Sequence, residues 1–109
     1  MKAKSVLITF FVIISTFLST HLYSQIVINE FLAGNETINT DEDGEYEDWI
    51  ELYNAGDDAV DLAGFTLTDD PTEHDQWTLP AVTLGSHEFL LVWASKKDRT
   101  TGELHTNFS

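Results

Sequence analysis

Hydrophobic and polar positions alternate most clearly in the segment Asp-Trp-Ile-Glu-Leu-Tyr that starts at Asp48, and residues 49–53 of it are the predicted strand. Successive side chains of a β-strand project to opposite faces, so Ile50 and Leu52 share one face. The opposite face then carries Trp49, Glu51 and Tyr53. Because both faces contain apolar side chains, the pattern predicts a central strand. We expect a core on one side of it and an aromatic-bearing layer on the other.

The rest of the chain consists of short apolar runs separated by turn residues. Residues 88–94 are apolar on both faces, which predicts a buried core strand. Pro80 lacks a backbone donor, so the runs on its two sides are not expected to form one central strand. Further strands are predicted at residues 26–32, 60–62, 65–68, 76–79 and 82–84. With about seven short strands and no helical periodicity beyond the N-terminal segment, we predict an all-β sandwich.

The N-terminal segment has the layout of a secretory signal peptide. Lys2 and Lys4 precede an apolar run at residues 6–18, and small residues lead to Ser24. The run is shorter than the roughly 20 residues that span a bilayer. We therefore predict a helical signal peptide at residues 1–24, a domain at residues 25–109 and a secreted or cell-surface protein. Membrane attachment is expected only if the signal peptide is not cleaved.

The charge of the predicted domain is strongly negative. All 19 acidic residues follow Ser24, and only Lys96, Lys97 and Arg99 remain as cations, which gives a net charge of −16. Such a surface repels phosphate backbones, so we expect no nucleic-acid partner. The chain also has no cysteine, so disulfides cannot stabilise so small a domain. The lack of disulfides leaves a modest core and favours a metal or a partner domain as additional support.

One acidic segment resembles the start of a calcium loop. Oxygen-bearing side chains occupy every second position, and Gly44 supplies the sharp turn. The bidentate glutamate expected at the twelfth position is absent, because Ile50 stands there, but Glu45, Glu47 and Asp48 offer oxygens for another geometry. The alternative is an acidic surface loop that leads into a strand. Calcium is thus the only candidate cofactor, and its predicted ligands are Asn39, Asp41, Asp43 and Glu45.

Several motifs, taken in order, resemble the lamin-tail domain family. The first two are Ile-Asn-Glu at residues 28–30 and Gly-x-Tyr-x-Asp-Trp-Ile-Glu-Leu-Tyr-Asn at residues 44–54. Val-Asp-Leu-x-Gly at residues 60–64, Thr-Asp-Asp at 68–70 and Trp77 follow. The last are Leu-Leu-Val-Trp-Ala at 90–94 and His-Thr-Asn-Phe at 105–108. The resemblance implies an immunoglobulin-like β-sandwich. In that family two more strands follow the last motif, so we expect an incomplete sandwich, truncated at its C-terminus.

Catalytic patterns are weak. His74, His87 and His105 are isolated and form no zinc-binding spacing. Ser86 and His87 are sequence neighbours, whose side chains are expected to point apart rather than to pair as nucleophile and base. We therefore predict no catalytic residue and no enzyme activity.

Polar residues within or beside the strands are expected to have structural roles. Asn29 or Glu30 should hydrogen-bond the neighbouring strand or the acidic segment, since a buried polar group needs a partner. Asn54 should cap the turn that follows it, as asparagine side chains do in turns.

For function, the resemblance implies a non-catalytic secreted module that tethers or binds a protein or cell-surface partner. Bacterial members of the family often accompany surface-associated hydrolases or spore-coat-type kinase domains. Two alternatives stay open: a calcium-stabilised surface adhesin module, and the accessory end of a longer secreted enzyme. The sequence does not indicate the oligomeric state.

Overall fold

The computed structural model describes residues 25–109, and the predicted signal peptide at residues 1–24 lies outside them. Every regular element in the described range is a strand, which agrees with the all-β prediction. The strands are β1 (Ile26–Leu32), β2 (Asp48–Asn54), β3 (Val60–Asp61), β4 (Thr66–Leu67), β5 (Trp77–Thr78), β6 (Thr83–Leu84), β7 (Phe89–Ala94) and β8 (Leu104–His105). None of the residues from 25 onward forms a helix long and apolar enough to cross a membrane.

The strands form one larger sheet and two short ribbons. The larger sheet has the order β1-β2-β7-β8, in which β1, β2 and β7 are antiparallel and β8 runs parallel to β7. The ribbons are the antiparallel pairs β3–β6 and β4–β5. Strand β2 therefore lies inside the sheet, between β1 and β7, which confirms the predicted central strand.

The core lies between the larger sheet and the two ribbons. Leu52 from β2 and Val92 from β7 meet Leu84 from β6 and Trp77 from β5 in one buried cluster. The remaining buried members are Leu62, Leu79, Ala94, Leu104 and Phe108. Both layers contribute side chains, which is the arrangement of a β-sandwich.

The predicted faces of β2 are confirmed. Leu52 is buried in the core and Ile50 packs against it, while Trp49 is buried on the opposite side of the strand. Trp49 pairs with Trp93 of β7, and paired residues share a face. A second apolar layer therefore lies on the outward side of the sheet.

Strand β7 differs from its prediction over its first half. Val92, Trp93 and Ala94 are buried, but Phe89 is 56% exposed. The aromatic ring of Phe89 stacks on Tyr53 of β2, with ring centroids 4.6 Å apart. The prediction of a strand buried on both faces is thus wrong for the end of β7 nearest the β6–β7 turn. There, an aromatic pair lies at the surface instead.

Asn54 holds the turn after β2, as predicted. Its side-chain amide donates to the carbonyls of Asp58 at 2.8 Å and Leu84 at 3.0 Å, and its oxygen accepts from the amide of Gly56 at 3.0 Å. The residue is fully buried. Asn54 therefore also joins the β2–β3 turn to β6 of the opposite layer.

Candidate functional site

The acidic residues of the calcium-like motif lie in residues 33–47, here called the acidic loop, which connects β1 to β2. Asn35, which is buried, organises the start of this loop. Its side-chain amide donates to the carbonyls of Ile38 at 2.6 Å and Glu47 at 2.9 Å, and its oxygen accepts from the amide of Ile38 at 2.9 Å. These bonds bring the two ends of the loop together. This role of Asn35 was not predicted from the sequence, although asparagine after Gly34 is typical of such local turns.

Asp41 forms the centre of the loop. The Asp41 side chain accepts from the backbone amides of Asp43 and Glu45, both at 3.0 Å. Gly44 has a φ of 78°, a left-handed conformation that favours glycine, and its amide donates to the carbonyl of Asp41. The alternating acids and the glycine of the motif therefore build a tight turn around one carboxylate.

A lysine from a neighbouring connection, distant in the sequence, reaches into this turn. Lys97 belongs to residues 95–103, here called the cationic segment, which connects β7 to β8. Its Nζ donates to Asp41 and, at 2.9 Å, to Asp43. The carboxylates of Glu45 and Glu47 lie 3.7 and 3.9 Å from the same nitrogen. Four carboxylates therefore surround one ammonium group.

This arrangement shifts the pKa values of the groups that form it. Burial alone would lower the pKa of Lys97, but the hydrogen bonds and charges of Asp41 and Asp43 raise it above its ordinary value. Burial alone would raise the pKa of Asp41, but the bonds from Lys97 and the two backbone amides lower it. Burial raises the pKa of Glu47. The charge of Lys97 opposes this rise, and the neighbouring acids add to it. The Lys97–Asp41 pair is thus ionised in the folded domain.

A second set of contacts joins the acidic loop to the cationic segment and β8. Arg99 donates to Glu42 at 2.7 Å and lies 2.8 Å from Asp43. The fully buried His105 places Nε2 2.8 Å from Glu42 Oε2, and its Nδ1 lies 2.8 Å from the hydroxyl of Ser95. Burial would raise the pKa of Glu42, but hydrogen bonds from His105, its own backbone amide and Arg99 lower it to about 2. The Glu42 carboxylate therefore accepts hydrogen bonds from Arg99 in the cationic segment and from His105 in β8.

The structure brings together most of the predicted calcium ligands. Asp41, Asp43 and Glu45 converge on one point, where the structure places Lys97 Nζ, and Glu47 joins them. Asn39 contributes to the loop through its backbone. Its carbonyl oxygen accepts a hydrogen bond from the side-chain amide of Asn35 at 3.3 Å. The cation among these carboxylates is an ammonium group, and calcium binding at this place stays a prediction. The position of Lys97 was not identified from the sequence, because Lys97 is 56 residues from Asp41.

A mixed donor set lies beside the lysine. One ligand atom from each of Asp41, Glu42 and His105 lies within 4.8 Å of the others, a spacing that could hold a metal ion. In the structure these groups are hydrogen-bonded to Lys97, Arg99 and Ser95. Their hydrogen bonds link the acidic loop to the cationic segment and to β8.

The expected separation of Ser86 and His87 is wrong. Ser86 Oγ lies 3.2 Å from His87 Nδ1, because His87 has a φ of 59° and its ring turns back toward its neighbour. The Ser86 hydroxyl has one proton, and it donates to the carbonyl of Gly56 at 2.6 Å. The ring can then only donate to Ser86 Oγ through Nδ1–H. The pair therefore holds the turn and is not arranged as a nucleophile and its base.

Asn29 has the predicted structural role. Its amide donates to Glu51 of the neighbouring strand at 2.8 Å. This is one of the two outcomes expected for the polar residues of β1.

Comparison with known proteins bears on the fold and on the family. The model of the lamin tail domain family matches residues 19–109, well over half of the chain. No curated protein and no solved structure matches the chain significantly. Lamin tail domains have an immunoglobulin-like fold, which agrees with the β-sandwich described above. The family inferred from the ordered motifs is thereby confirmed, and the chain belongs to the lamin tail domain family.

Proposed function

We propose that this chain is a secreted, non-catalytic module that binds a protein or cell-surface partner. Lamin tail domains are in general non-catalytic interaction domains. The observation that carries the proposal is the exposure of large apolar side chains on β1, since Ile28 is 59% and Phe31 70% exposed. Contiguous apolar surface on a soluble domain is typical of an interaction site.

The proposed location rests on the N-terminal sequence. The signal-peptide pattern at residues 1–24 favours export, and a charge of −16 on the following residues favours solubility outside the cell. The same charge opposes contact with nucleic acid. The partner is therefore a protein or another component of the cell surface that tolerates or complements an acidic domain.

A photo-crosslinking experiment tests this function. The full chain is expressed in the cells that produce it, with a photoreactive amino acid at Phe31 in one variant and at Ile38, another exposed apolar residue, in a control. We expect export to the medium or the cell surface and a discrete crosslinked species from position 31 only. Retention in the cytoplasm would contradict the location, and the absence of any crosslink at either position would contradict the binding role.

As a second candidate we propose a calcium-stabilised form of the same module. It is favoured by the convergence of Asp41, Asp43, Glu45 and Glu47 on one cation position. Calcium binding there requires Lys97 to move out, because the ammonium lies among the carboxylates. Melting temperatures of the full chain, measured in calcium and in chelator, test whether calcium stabilises the domain. A rise with calcium supports this candidate, and identical values exclude it.

A further inference from the structure

Three side chains form a row of rings on the outward face of the larger sheet. Tyr53 of β2 lies directly opposite Phe89 of β7, and their rings stack with centroids 4.6 Å apart. The imidazole of His87 also stacks on Tyr53, with centroids 6.4 Å apart. Tyr53 shares its face of β2 with Trp49, so these rings lie on the side of the sheet that faces away from the core. We call His87, Tyr53 and Phe89 the aromatic row.

The aromatic row is exposed, although the other end of the same face is covered. Phe89 is 56% exposed, and more than half of the His87 side chain is exposed. Trp93, at the other end of β7, is only 3% exposed, and its Nε1 donates to Glu103 of the cationic segment at 2.8 Å. The solvent face of an antiparallel sheet is normally polar. Uncovered aromatic side chains on such a face are therefore typical of an interaction surface.

The exposure of the aromatic row does not depend on an unpaired sheet edge. Strand β2 is paired on both sides, with β1 and with β7. The row stands at the end of the β2–β7 ladder opposite the Asp48–Ala94 pair. Ser109 lies at that opposite end, where it lines a cavity together with Asp48 and Ala94. A further strand that paired with an edge of either layer would lie beside the outward face and not over it.

Carboxylates surround the aromatic row without a balancing lysine or arginine. Glu51 lies two residues before Tyr53 on the same face, and Glu30 lies opposite Glu51. The carboxylate of Asp57, which is almost fully exposed, lies 3.7 Å from His87 Nε2. In residues 25–109 all lysines and arginines belong to the cationic segment, which follows the other end of β7. The negative charge beside the row is therefore uncompensated within this part of the chain.

Rings beside carboxylates favour a guanidinium ligand. A guanidinium group packs against aromatic rings and donates two parallel hydrogen bonds to a carboxylate in the same contact. An ammonium group is more strongly hydrated and lacks this planar shape. Anionic ligands such as phosphates are repelled by a charge of −16. A neutral sugar gains no attraction from the charge of the carboxylates.

We propose that the aromatic row binds an arginine side chain presented by a partner protein. The guanidinium packs against Phe89 and pairs with Glu51, which are diagonal neighbours across the β2–β7 ladder and lie close enough for one long side chain to reach both. A second copy of this chain is a poor partner, because its Arg99 already pairs with the acidic loop and both copies are strongly acidic.

This surface is additional to the one on which the proposed function rests. Ile28 and Phe31 lie opposite Leu52 and Ile50, and opposed residues of an antiparallel pair share a face. They therefore belong to the core side of the sheet, whereas the aromatic row lies on the outward side. The inference thus goes beyond the proposed function and can be tested independently of it.

A blocked tripeptide with a central arginine is the probe. Its matched control contains citrulline, which has the same shape but no charge. Binding to the isotope-labelled full chain is followed by NMR, through the backbone amide signals of each residue. We expect the arginine peptide to shift the signals of Glu51, Tyr53 and Phe89, and the citrulline peptide to bind at least about fivefold more weakly.

Variants of the chain then locate the contact. Phe89→Leu keeps an apolar side chain but removes the ring, and Glu51→Gln keeps an acceptor for the Asn29 amide but removes the charge. Each should weaken binding of the arginine peptide about fivefold. Phe65→Leu and Asp75→Asn, which change an exposed ring and an exposed carboxylate elsewhere, should leave it unchanged.

Three results would overturn the proposal. They are equal binding of the two peptides, arginine binding that neither Phe89→Leu nor Glu51→Gln weakens, and signal shifts at the row caused by maltose but not by arginine. The last result would assign the row to a neutral sugar. The crosslinking experiment at position 31 tests the opposite side of the sheet, so either surface can fail without the other.

Discussion

Single polar side chains connect distant parts of this domain. The Asn54 side chain hydrogen-bonds two backbone carbonyls and one backbone amide in different segments. Lys97 joins the cationic segment to the acidic loop through an ion pair with Asp41. Both residues satisfy groups that would otherwise be left without partners inside the fold, where the cost is high. Their effects on stability should therefore exceed those of similar residues at the surface.

Replacement of Asn54 should be strongly destabilising. Asn54→Ala removes the donor to the Asp58 and Leu84 carbonyls and the acceptor for the Gly56 amide. We expect a loss of about 2 kcal/mol or more in the free energy of unfolding, measured by urea denaturation. Asn107→Ala is the matched control, because its amide also bonds a carbonyl, that of Gln76, but from an exposed position. Its cost should stay below about 1 kcal/mol, and equal costs would contradict the structural role of Asn54.

Replacement of Lys97 should change the response to calcium. Lys97→Met keeps most of the side-chain length but leaves the carboxylates of Asp41 and Asp43 without their ammonium partner. We expect a lower melting temperature in chelator and a larger rise on calcium addition than in the unaltered chain. Lys96→Met, at the exposed neighbouring position, is the control and should change neither value. No gain of calcium response in Lys97→Met would show that the carboxylates cannot hold the ion even when the site is free.

At the scale of elements, ion pairs hold the acidic loop to the cationic segment, and a hydrogen bond holds it to β8. Glu42 in the loop bonds His105 in β8 and Arg99 in the cationic segment, and Lys97 adds a parallel link to Asp41. Strand β8 has only two residues and one partner strand. Its position therefore depends on these side chains as well as on its pairing with β7.

This dependence predicts a loss of stability in acid. The pKa of Glu42 falls from an ordinary value of 4.5 to about 2 in the folded domain. A lowered pKa of a carboxyl group contributes stability that is present above its unfolded value and is lost as the pH falls through the folded value. The destabilisation caused by Glu42→Gln should therefore be largest above pH 4.5 and should diminish toward pH 2. Thermal unfolding at several pH values measures it, with Glu73→Gln as an exposed control. A difference that is independent of pH would contradict the role of the Glu42 charge.

Strands β1 to β7 could be predicted because each depends on its own short pattern, whereas the two-residue strand β8 was not predicted. The alternation at residues 49–53 and the turn residues around each run gave β2 and its neighbours within a residue or two. The bulge in β1, where the pairing with β2 shifts between Ile28 and Glu30, and the exposed start of β7 could not be predicted, because both depend on how neighbouring strands pair and pack. The cation within the acidic loop was also missed, since Lys97 lies 56 residues from Asp41 in the chain.

At the scale of the whole molecule, one core between two layers carries the fold. Leu52→Ala should cost about 2–5 kcal/mol in the free energy of unfolding, because Leu52 is buried among side chains from both layers. Ile28→Ala, at the opposed position on β1, should cost less than about 1 kcal/mol, since Ile28 is 59% exposed. Urea denaturation measures both. A large cost for Ile28→Ala would mean that Ile28 is buried in solution.

The sequence by itself determined the fold class, the family and the acidic character of the domain. Periodicity, turn residues and charge are local or additive properties, so they can be read without knowing which segments meet. The tertiary structure decided which cation lies among Asp41, Asp43 and Glu45, that Ser86 contacts His87, and that Ile28 and Phe31 stay exposed. Each of these depends on contacts between residues far apart in the chain or on the backbone conformation at one position. The strand predicted at residues 49–53 illustrates both: its pattern specified a central strand, and only the tertiary structure showed that Ile28 and Phe31 of the neighbouring strand β1 are exposed.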